Sequence, residues 1–98
     1  MHLVIDYGNT SVKVAVFEPS GNLCFQDKWE NCTQTHIEAL LQTYLLDAVI
    51  VCSVVGVPDA ILQFLRQHLA YVLLLDHQTP LPIKNAYKTL YKKYRVFG

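Results

Sequence analysis

The stretch HLVIDYGNTSVKVAVF, residues 2–17, decides the fold. Residues 2–7 form a short apolar run with Asp6 near its end, which is typical of a buried strand, and Gly8-Asn9 marks a tight turn. Over residues 12–17, valines at positions 12, 14 and 16 alternate with Lys13, Ala15 and Phe17, and this alternation predicts a second strand. The stretch therefore predicts a β-hairpin with a polar turn.

The chain around this hairpin predicts further elements in a fixed order. A third strand is expected over residues 23–29, after the turn signal Pro19-Ser20-Gly21-Asn22, so that three antiparallel strands come first. A helix capped by Thr33 or Thr35 follows and ends at Asp47. Its apolar stripe consists of Ile37, Leu40, Leu41, Tyr44 and Leu45.

The second half of the prediction contains two more strands and one more helix. Residues 48–52 are continuously apolar, which is the pattern of a strand covered on both faces. A helix begins at Pro58-Asp59, and a last strand covers residues 71–75 and ends at Asp76. The buried face of that helix is predicted to consist of Ile61, Leu62, Leu65 and Leu69. The order βββαβαβ predicts an α/β fold, a mixed sheet with helices packed on it.

Composition limits the classes of protein that fit. The chain has 98 residues, of which 52% are hydrophobic and 16% charged, so one packed globular domain is expected and a two-lobed enzyme does not fit. Eight basic residues balance eight acidic ones, which gives no overall electrostatic case for binding nucleic acid or anionic lipid. No export signal or membrane-spanning stretch is found.

The cysteines indicate the compartment. Three cysteines are present, at positions 24, 32 and 52, and none shows a CxxC spacing. An odd number of cysteines in apolar surroundings favours reduced thiols and a cytoplasmic protein. A disulfide between Cys24 and Cys32 stays open at this point. The four histidines lie far apart without other ligands at zinc spacing, so no zinc site is expected.

The turn between the first two strands carries the chemistry of a phosphate site. Gly8 lets backbone amides approach a polyphosphate, while Asn9 and Thr10 supply neutral donors. Lys13 adds a positive charge, and Asp6 is suited to hold a hydrated Mg²⁺. Neither a GxxxxGK nor a GxGxxG motif occurs. The alternative interpretation is an ordinary hairpin with polar turn residues.

Three motifs resemble those of type III pantothenate kinases, which belong to the superfamily of actin, sugar kinases and heat-shock chaperone ATPases. Asp-x-Gly-Asn-Thr-x-x-Lys at residues 6–13 resembles the first phosphate motif of that family. Residues 52–55, Cys-Ser-Val-Val, resemble its Ser-Val-Val segment. Residues 82–89 resemble the stretch Pro-x-x-Asn-x-Tyr-x-Thr that lines the pantothenate site. The three motifs occur in the family's order.

The resemblance implies a fold, an activity and a set of ligands. The fold is the ribonuclease-H-like half of the kinase, with an ATP-binding domain over residues 1–78 and a substrate loop and basic segment over residues 79–98. The activity is ATP-dependent phosphorylation of the pantothenate hydroxyl, the first step toward coenzyme A. The implied cofactors are ATP, Mg²⁺ and a monovalent cation, K⁺ or NH₄⁺, and the implied assembly is a homodimer.

The resemblance also implies roles for individual residues. Asp6 would organise Mg²⁺ and the phosphates, and Tyr87 would contact pantothenate, with Asn85 supporting its loop. The residues expected to contact ATP phosphates are Gly8, Asn9, Thr10 and Lys13.

The sequence departs from the family pattern near its end. The family continues through Thr-Leu-Gly-x-Asp-Arg, whose Asp is the catalytic base, but here Thr89-Leu90 is followed by Tyr91-Lys92-Lys93-Tyr94-Arg95. No acidic residue follows Asp76, so no catalytic residue is expected. We therefore expect the nucleotide-binding N-terminal part of a kinase, inactive by itself. The alternative is a non-catalytic dimerisation or binding module of the same fold.

The C-terminal segment is basic and aromatic. Residues 84–98 contain five basic residues and no acid, whereas residues 1–83 contain three bases and eight acids. An amphipathic helix is predicted from apolar residues at spacings of three and four, namely Ile83, Tyr87, Leu90, Tyr91, Tyr94 and Phe97. Two interpretations stay open: a face that binds nucleic acid or a partner, or a stripe that covers the core or a second subunit.

Overall fold

The computed structural model describes residues 1–53 and 55–76. Within these ranges the elements follow the predicted order βββαβαβ. The strands are β1 (His2–Tyr7), β2 (Val12–Phe17), β3 (Leu23–Trp29), β4 (Ala48–Ser53) and β5 (Tyr71–Asp76). The helices are α1 (Gln34–Thr43) and α2 (Asp59–His68).

The five strands form one mixed sheet with the order β3-β2-β1-β4-β5. β1, β2 and β3 are antiparallel neighbours, whereas β4 runs parallel to both β1 and β5. The expected α/β class is therefore confirmed. Because β1, β4 and β5 run in the same direction, their carboxyl ends lie at one edge of the sheet, together with the turn between β1 and β2.

Two apolar layers cover the two faces of the sheet. The helix-side layer joins alternate strand residues to α1 and α2, and it includes Leu3, Ile5, Val14, Val49, Val51, Ile37, Leu40, Ile61, Phe64 and Leu65. The opposite layer contains Val4, Ala15, Phe17, Ile50 and Cys52. β4 is buried at every position, as its continuously apolar sequence predicts. Burial of both faces fixes the strand register, since a slip by one residue would exchange the two layers.

Helix α1 begins as the sequence predicts and ends earlier. Thr33 is the N-cap: its hydroxyl accepts the N–H of His36 at 3.3 Å, and its own N–H is donated to His36 Nδ1 at 3.3 Å. Tyr44 is already extended, with φ −123° and ψ 146°. The assignment of Leu45 to the buried stripe is therefore wrong, because the chain has left the helix and Leu45 is 89% exposed.

Helix α2 starts immediately after Pro58 and buries one face against the sheet. Three of the four predicted residues, Ile61, Leu62 and Leu65, lie on its buried face, together with Phe64, which the sequence analysis did not include. Leu69 is also buried but follows the helix as its C-cap. The amphipathic helix predicted around residues 83–97 lies outside the described residues.

The structure tests two of the expectations drawn from the sequence, one about a disulfide and one about a membrane span. Cys24, Cys32 and Cys52 are all free thiols, so the disulfide left open between Cys24 and Cys32 is not formed. In the described part of the chain, neither helix has the length and apolar character required to cross a lipid bilayer.

Asp47 holds together the end of the sheet that lies opposite the β1–β2 turn. Its N–H is donated to the carbonyl of Met1 at 3.2 Å, and its carbonyl accepts the N–H groups of Ala70 and Tyr71. Its carboxylate lies 3.5 Å from the amino group of Met1 and 4.0 Å from Nε2 of His2. One residue thus ties together the starts of β1, β4 and β5.

We expect the free energy of unfolding to fall as the pH decreases from 7 to 5, because His2 is buried. Burial lowers the pKa of His2 below 6.5, although the Asp47 carboxylate partly opposes this. The unfolded chain therefore binds a proton at a higher pH than the folded chain does. The contribution of neutral His2 to the free energy of unfolding is complete well above pH 6.5 and is lost as the pH falls below that value. Urea denaturation of the wild type and of His2→Gln at several pH values measures this.

The His2→Gln variant should show a flatter pH dependence than the wild type. His68→Gln is the matched control, since His68 is exposed and lies at the end of α2. An unchanged slope in His2→Gln, or an equal change in both variants, would contradict the assignment.

Candidate functional site

The turn between β1 and β2 forms the rim of the candidate site. It is closed by a hydrogen bond of 3.0 Å from the N–H of Gly8 to the carbonyl of Ser11, which brings Tyr7 opposite Val12. A Cβ atom at Gly8 would lie 3.2 Å from that carbonyl oxygen, closer than most contacts of this kind. Glycine therefore suits the tight closure of the turn. Asn9 and Thr10 form its tip and are exposed.

Asp6 and Lys13 lie directly behind this turn. They are opposite each other in the antiparallel pair of β1 and β2, and Cys52 of β4 neighbours Asp6 on the other side. Because side chains alternate along a strand, Asp6, Lys13 and Cys52 all lie on the sheet face that carries the opposite layer. Asp6 is half-buried, whereas Lys13 is exposed. A carboxylate and an ammonium group are therefore offered on one face, next to a turn with exposed polar residues.

Cys52 is an inert neighbour of Asp6. Burial raises the pKa of its thiol to about 12, and the nearby charge of Asp6 contributes in the same direction. The thiolate, which is the nucleophilic form of cysteine, is therefore not populated near neutral pH. Cys52 packs in the opposite layer and contributes no reactive group beside Asp6.

Ser53 shapes the loop that follows β4. It is 3% exposed, and its hydroxyl oxygen accepts the N–H of Val55 at 3.1 Å and the N–H of Gly56 at 2.6 Å. Gly56 has a φ of 98°, a conformation that favours glycine. Because Ser53 pairs with Tyr7 in the parallel register, this loop begins beside the β1–β2 turn. The sequence analysis included Ser53 in a family motif but assigned it no part in this loop, although serine followed three residues later by glycine is typical of a type I turn.

Tyr7 connects the turn to the start of α1. Its hydroxyl is buried and has no hydrogen bond of good geometry within the described residues, although the thiol of Cys32 lies near it. Burial is the main cause that raises the pKa of both the Tyr7 phenol and the Cys32 thiol. Both groups are therefore neutral at physiological pH, and the pair contributes packing and not charge. The sequence analysis did not find this contact.

An open groove also lies on the outer side of the two helices. It is lined by Gln34, Glu38, Ala60, Gln63, Phe64, Gln67 and His68. The helices pack on the sheet face away from Asp6, so this groove has no connection to the turn. It offers glutamine amides, the Glu38 carboxylate and the His68 imidazole, and none of the residues assigned to nucleotide, metal or substrate binding lies in it.

Asp6 is the carboxylate that β1 places directly behind the turn, where a metal ion could bind. The described residues contain no group of three or more His, Cys, Asp or Glu side chains that could hold a metal. Mg²⁺ does not require such a group, because it keeps several waters and binds through one or two carboxylates together with phosphate oxygens. A half-buried Asp6 next to an open turn fits that type of binding.

The structure brings together all five residues expected to contact nucleotide or metal: Asp6, Gly8, Asn9, Thr10 and Lys13. The two residues expected to contact substrate, Asn85 and Tyr87, lie outside the described residues, and their roles stay predictions.

Comparison with known proteins identifies the family. Residues 2–93 match the family model described as type III pantothenate kinase. This match covers nearly the whole chain, including the hairpin with Asp6 and Lys13. The chain belongs to the type III pantothenate kinase family.

Individual relatives agree with the family match. A type III pantothenate kinase from Azobacteroides pseudotrichonymphae is 36% identical over 90 residues, which are 91% of this chain and 36% of that protein. One from Bacteroides fragilis shows the same identity and coverage, and one from Phocaeicola vulgatus is 33% identical over 89 residues. The chain thus spans about a third of the length of the relatives it matches.

We expect Ser53→Ala to loosen the loop that borders the turn. The change removes the acceptor of two backbone N–H groups, so the free energy of unfolding should fall by about 1–3 kcal/mol. Amide hydrogen exchange at Val55 and Gly56 should also become faster. Ser53→Thr keeps the hydroxyl and should restore slow exchange.

Ser20→Ala is the control for this experiment. Ser20 is exposed, and its hydroxyl only contacts the carboxylate of Glu18 at 3.3 Å. Equal effects of the two alanine substitutions, or unchanged exchange at Val55 and Gly56 in Ser53→Ala, would contradict the role given to Ser53.

Proposed function

We propose that this chain is the nucleotide-binding N-terminal part of a pantothenate kinase, which uses ATP to phosphorylate the hydroxyl of pantothenate at the start of coenzyme A synthesis. The observation that carries the proposal is the arrangement of Asp6 opposite Lys13, directly behind the turn closed by Gly8. Membership of the family supports the choice of reaction.

The turn has the chemistry to bind a polyphosphate. Backbone N–H groups and the side chains of Asn9 and Thr10 donate hydrogen bonds to phosphate oxygens without adding charge. The ammonium group of Lys13 adds a charge-assisted contact. Because Asn9 and Thr10 are exposed, a phosphate chain can approach the turn without rearrangement of the sheet.

Asp6 is the residue proposed to hold Mg²⁺. Its half-buried carboxylate would provide one oxygen ligand, and water and phosphate oxygens would complete the coordination. The ion neutralises charge on the phosphates when it is bound. Lys13, opposite Asp6, would offset the negative charge of the carboxylate and help to orient the phosphate chain.

The remaining parts of the proposal rest on the family resemblance. The fold is proposed to be ribonuclease-H-like, with residues 1–78 as the ATP-binding domain and residues 79–98 as substrate loop and basic segment. Tyr87 would contact pantothenate, with Asn85 supporting the loop. A monovalent cation, K⁺ or NH₄⁺, a cytoplasmic location and a homodimer belong to the same proposal. Exposed apolar side chains at the sheet ends and edge, among them Leu45, Val55, Tyr71 and Leu74, are compatible with self-association.

Mg-ATP should raise the melting temperature of the wild type, and this stabilisation should require both Mg²⁺ and Asp6. In Asp6→Asn the carboxylate ligand is lost while the size of the side chain is kept, so we expect the affinity for Mg-ATP to fall at least tenfold. Thermal-shift titration with and without Mg²⁺ measures this.

Glu18→Gln is the matched control for Asp6→Asn. Glu18 follows the last residue of β2, at the end of the sheet opposite the β1–β2 turn, so loss of its carboxylate should leave the ATP response unchanged. Absence of any Mg-ATP effect in the wild type would favour the alternative, a non-catalytic dimerisation or binding module.

The 98-residue chain by itself should not phosphorylate pantothenate. In-line transfer needs the hydroxyl, the metal and the γ-phosphate held together, and a positioned base adds a further ~10² to 10⁴ in rate. Asp6 is committed to the metal, and no acid follows Asp76 in the sequence. A coupled assay with Mg-ATP, pantothenate and K⁺ tests this, and turnover that Asp6→Asn abolishes would show that the chain carries its own catalytic base.

A further inference from the structure

Lys28 lies directly opposite Lys13 in the antiparallel pair of β2 and β3. Lys13 in turn lies opposite Asp6, so that Lys28, Lys13 and Asp6 form one row across three strands. Residues opposite each other share a face of the sheet, so both lysines are on the face of Asp6. Lys28 is one residue from the end of β3, and Lys13 is one residue from the start of β2. The row therefore runs just behind the β1–β2 turn.

Two cations at this spacing oppose folding. Residues directly opposite in an antiparallel pair have Cβ atoms about 4.5–5.5 Å apart, and like charges at that distance are destabilising. Both lysines are exposed, and within residues 1–53 and 55–76 neither forms an ion pair with a carboxylate. Asp6 lies opposite Lys13 on its other side and offsets part of this repulsion, whereas β3 is the edge strand and no second strand brings a carboxylate beside Lys28.

The carboxylate next to Lys28 in sequence is engaged elsewhere. Asp27 accepts the indole N–H of Trp29 at 3.0 Å and the backbone N–H of Lys28 at 2.8 Å. Alternation along β3 also gives Asp27 and Trp29 the other face of the sheet. The ammonium group of Lys28 is therefore left facing the same side as that of Lys13.

We propose that Lys28 is a second phosphate-binding cation of the nucleotide site, paired across the sheet with Lys13. This inference rests on the proposed function. Mg-ATP keeps a net negative charge after its Mg²⁺ is bound, and a phosphate chain held at Asp6 and Lys13 would lie within reach of a long, flexible side chain on the neighbouring strand. When a polyphosphate is bound, the ammonium groups of both lysines would contact negatively charged phosphate oxygens, and these attractive contacts would outweigh their mutual repulsion.

Calorimetric titration of the full chain with Mg-ATP, Mg-ADP and AMP tests the proposal. Lys28→Gln should weaken the binding of Mg-ATP about fivefold and that of AMP by less than twofold, because the effect acts through the phosphate chain. Lys28→Arg keeps the charge and should bind Mg-ATP like the wild type. Arg66→Gln removes the same charge from the exposed face of α2 and should leave all affinities unchanged.

The outcomes separate this proposal from the proposed function. If Lys13→Gln and Asp6→Asn weaken Mg-ATP binding while Lys28→Gln does not, the role of Lys28 is refuted and the nucleotide site stands. If Lys28→Gln and Arg66→Gln have equal effects, only net charge matters and the role of Lys28 is refuted as well. If the wild type does not bind Mg-ATP, both proposals fall.

Discussion

β1 is hydrogen-bonded on both sides, to antiparallel β2 and to parallel β4, and its register with these two strands positions Asp6 opposite Lys13 and beside Cys52. Side chains alternate along a strand, so a slip of one residue would turn Asp6 toward α1 and α2 and bury a carboxylate among apolar residues. That cost, together with the loss of both apolar layers, keeps the register fixed. The position of the candidate site is a consequence of how β1 packs.

The same constraint explains why the polar residues lie at one edge. The interior of β1 is filled by Leu3, Val4 and Ile5, which are fully buried on alternate faces. Polar side chains occur in β1 only at its two ends: His2 at the start, and Asp6 near the carboxyl end, where the strand meets the turn at Gly8 and the loop held by Ser53. At the other end Asp47 takes part in backbone hydrogen bonds that join the strands. One end of the sheet thus serves the structure, and the other carries the residues of the candidate site.

The sequence predicted the order of elements well, because each strand and helix has a strong local pattern. It failed where tertiary contacts decide. The stripe of α1 continues past Thr43 in the sequence, but the chain becomes extended at Tyr44 to reach β4, and Leu45 is exposed as a result. Phe64 was not included because its burial depends on how α2 rotates against the sheet.

Only the contiguous part of the candidate site could be predicted from the sequence. Residues 6–13 are contiguous, so a motif could reveal them. The positions of Ser53 beside Tyr7 and of Lys28 beside Lys13 depend on strand pairing, and no spacing in the sequence encodes those neighbours. The contact between Tyr7 and Cys32 joins residues 25 positions apart and required the fold for the same reason.

Backbone amide shifts during titration with Mg-ATP test the central claim most directly, because they report the place of binding without requiring catalysis. The account predicts that the largest shifts occur in the turn and the start of β2, residues 8–13, and in the neighbouring loop at residues 55–57. Shifts that cluster instead in the groove on the outer side of α1 and α2, around Glu38, Gln63 and His68, with residues 8–13 unchanged, would contradict it.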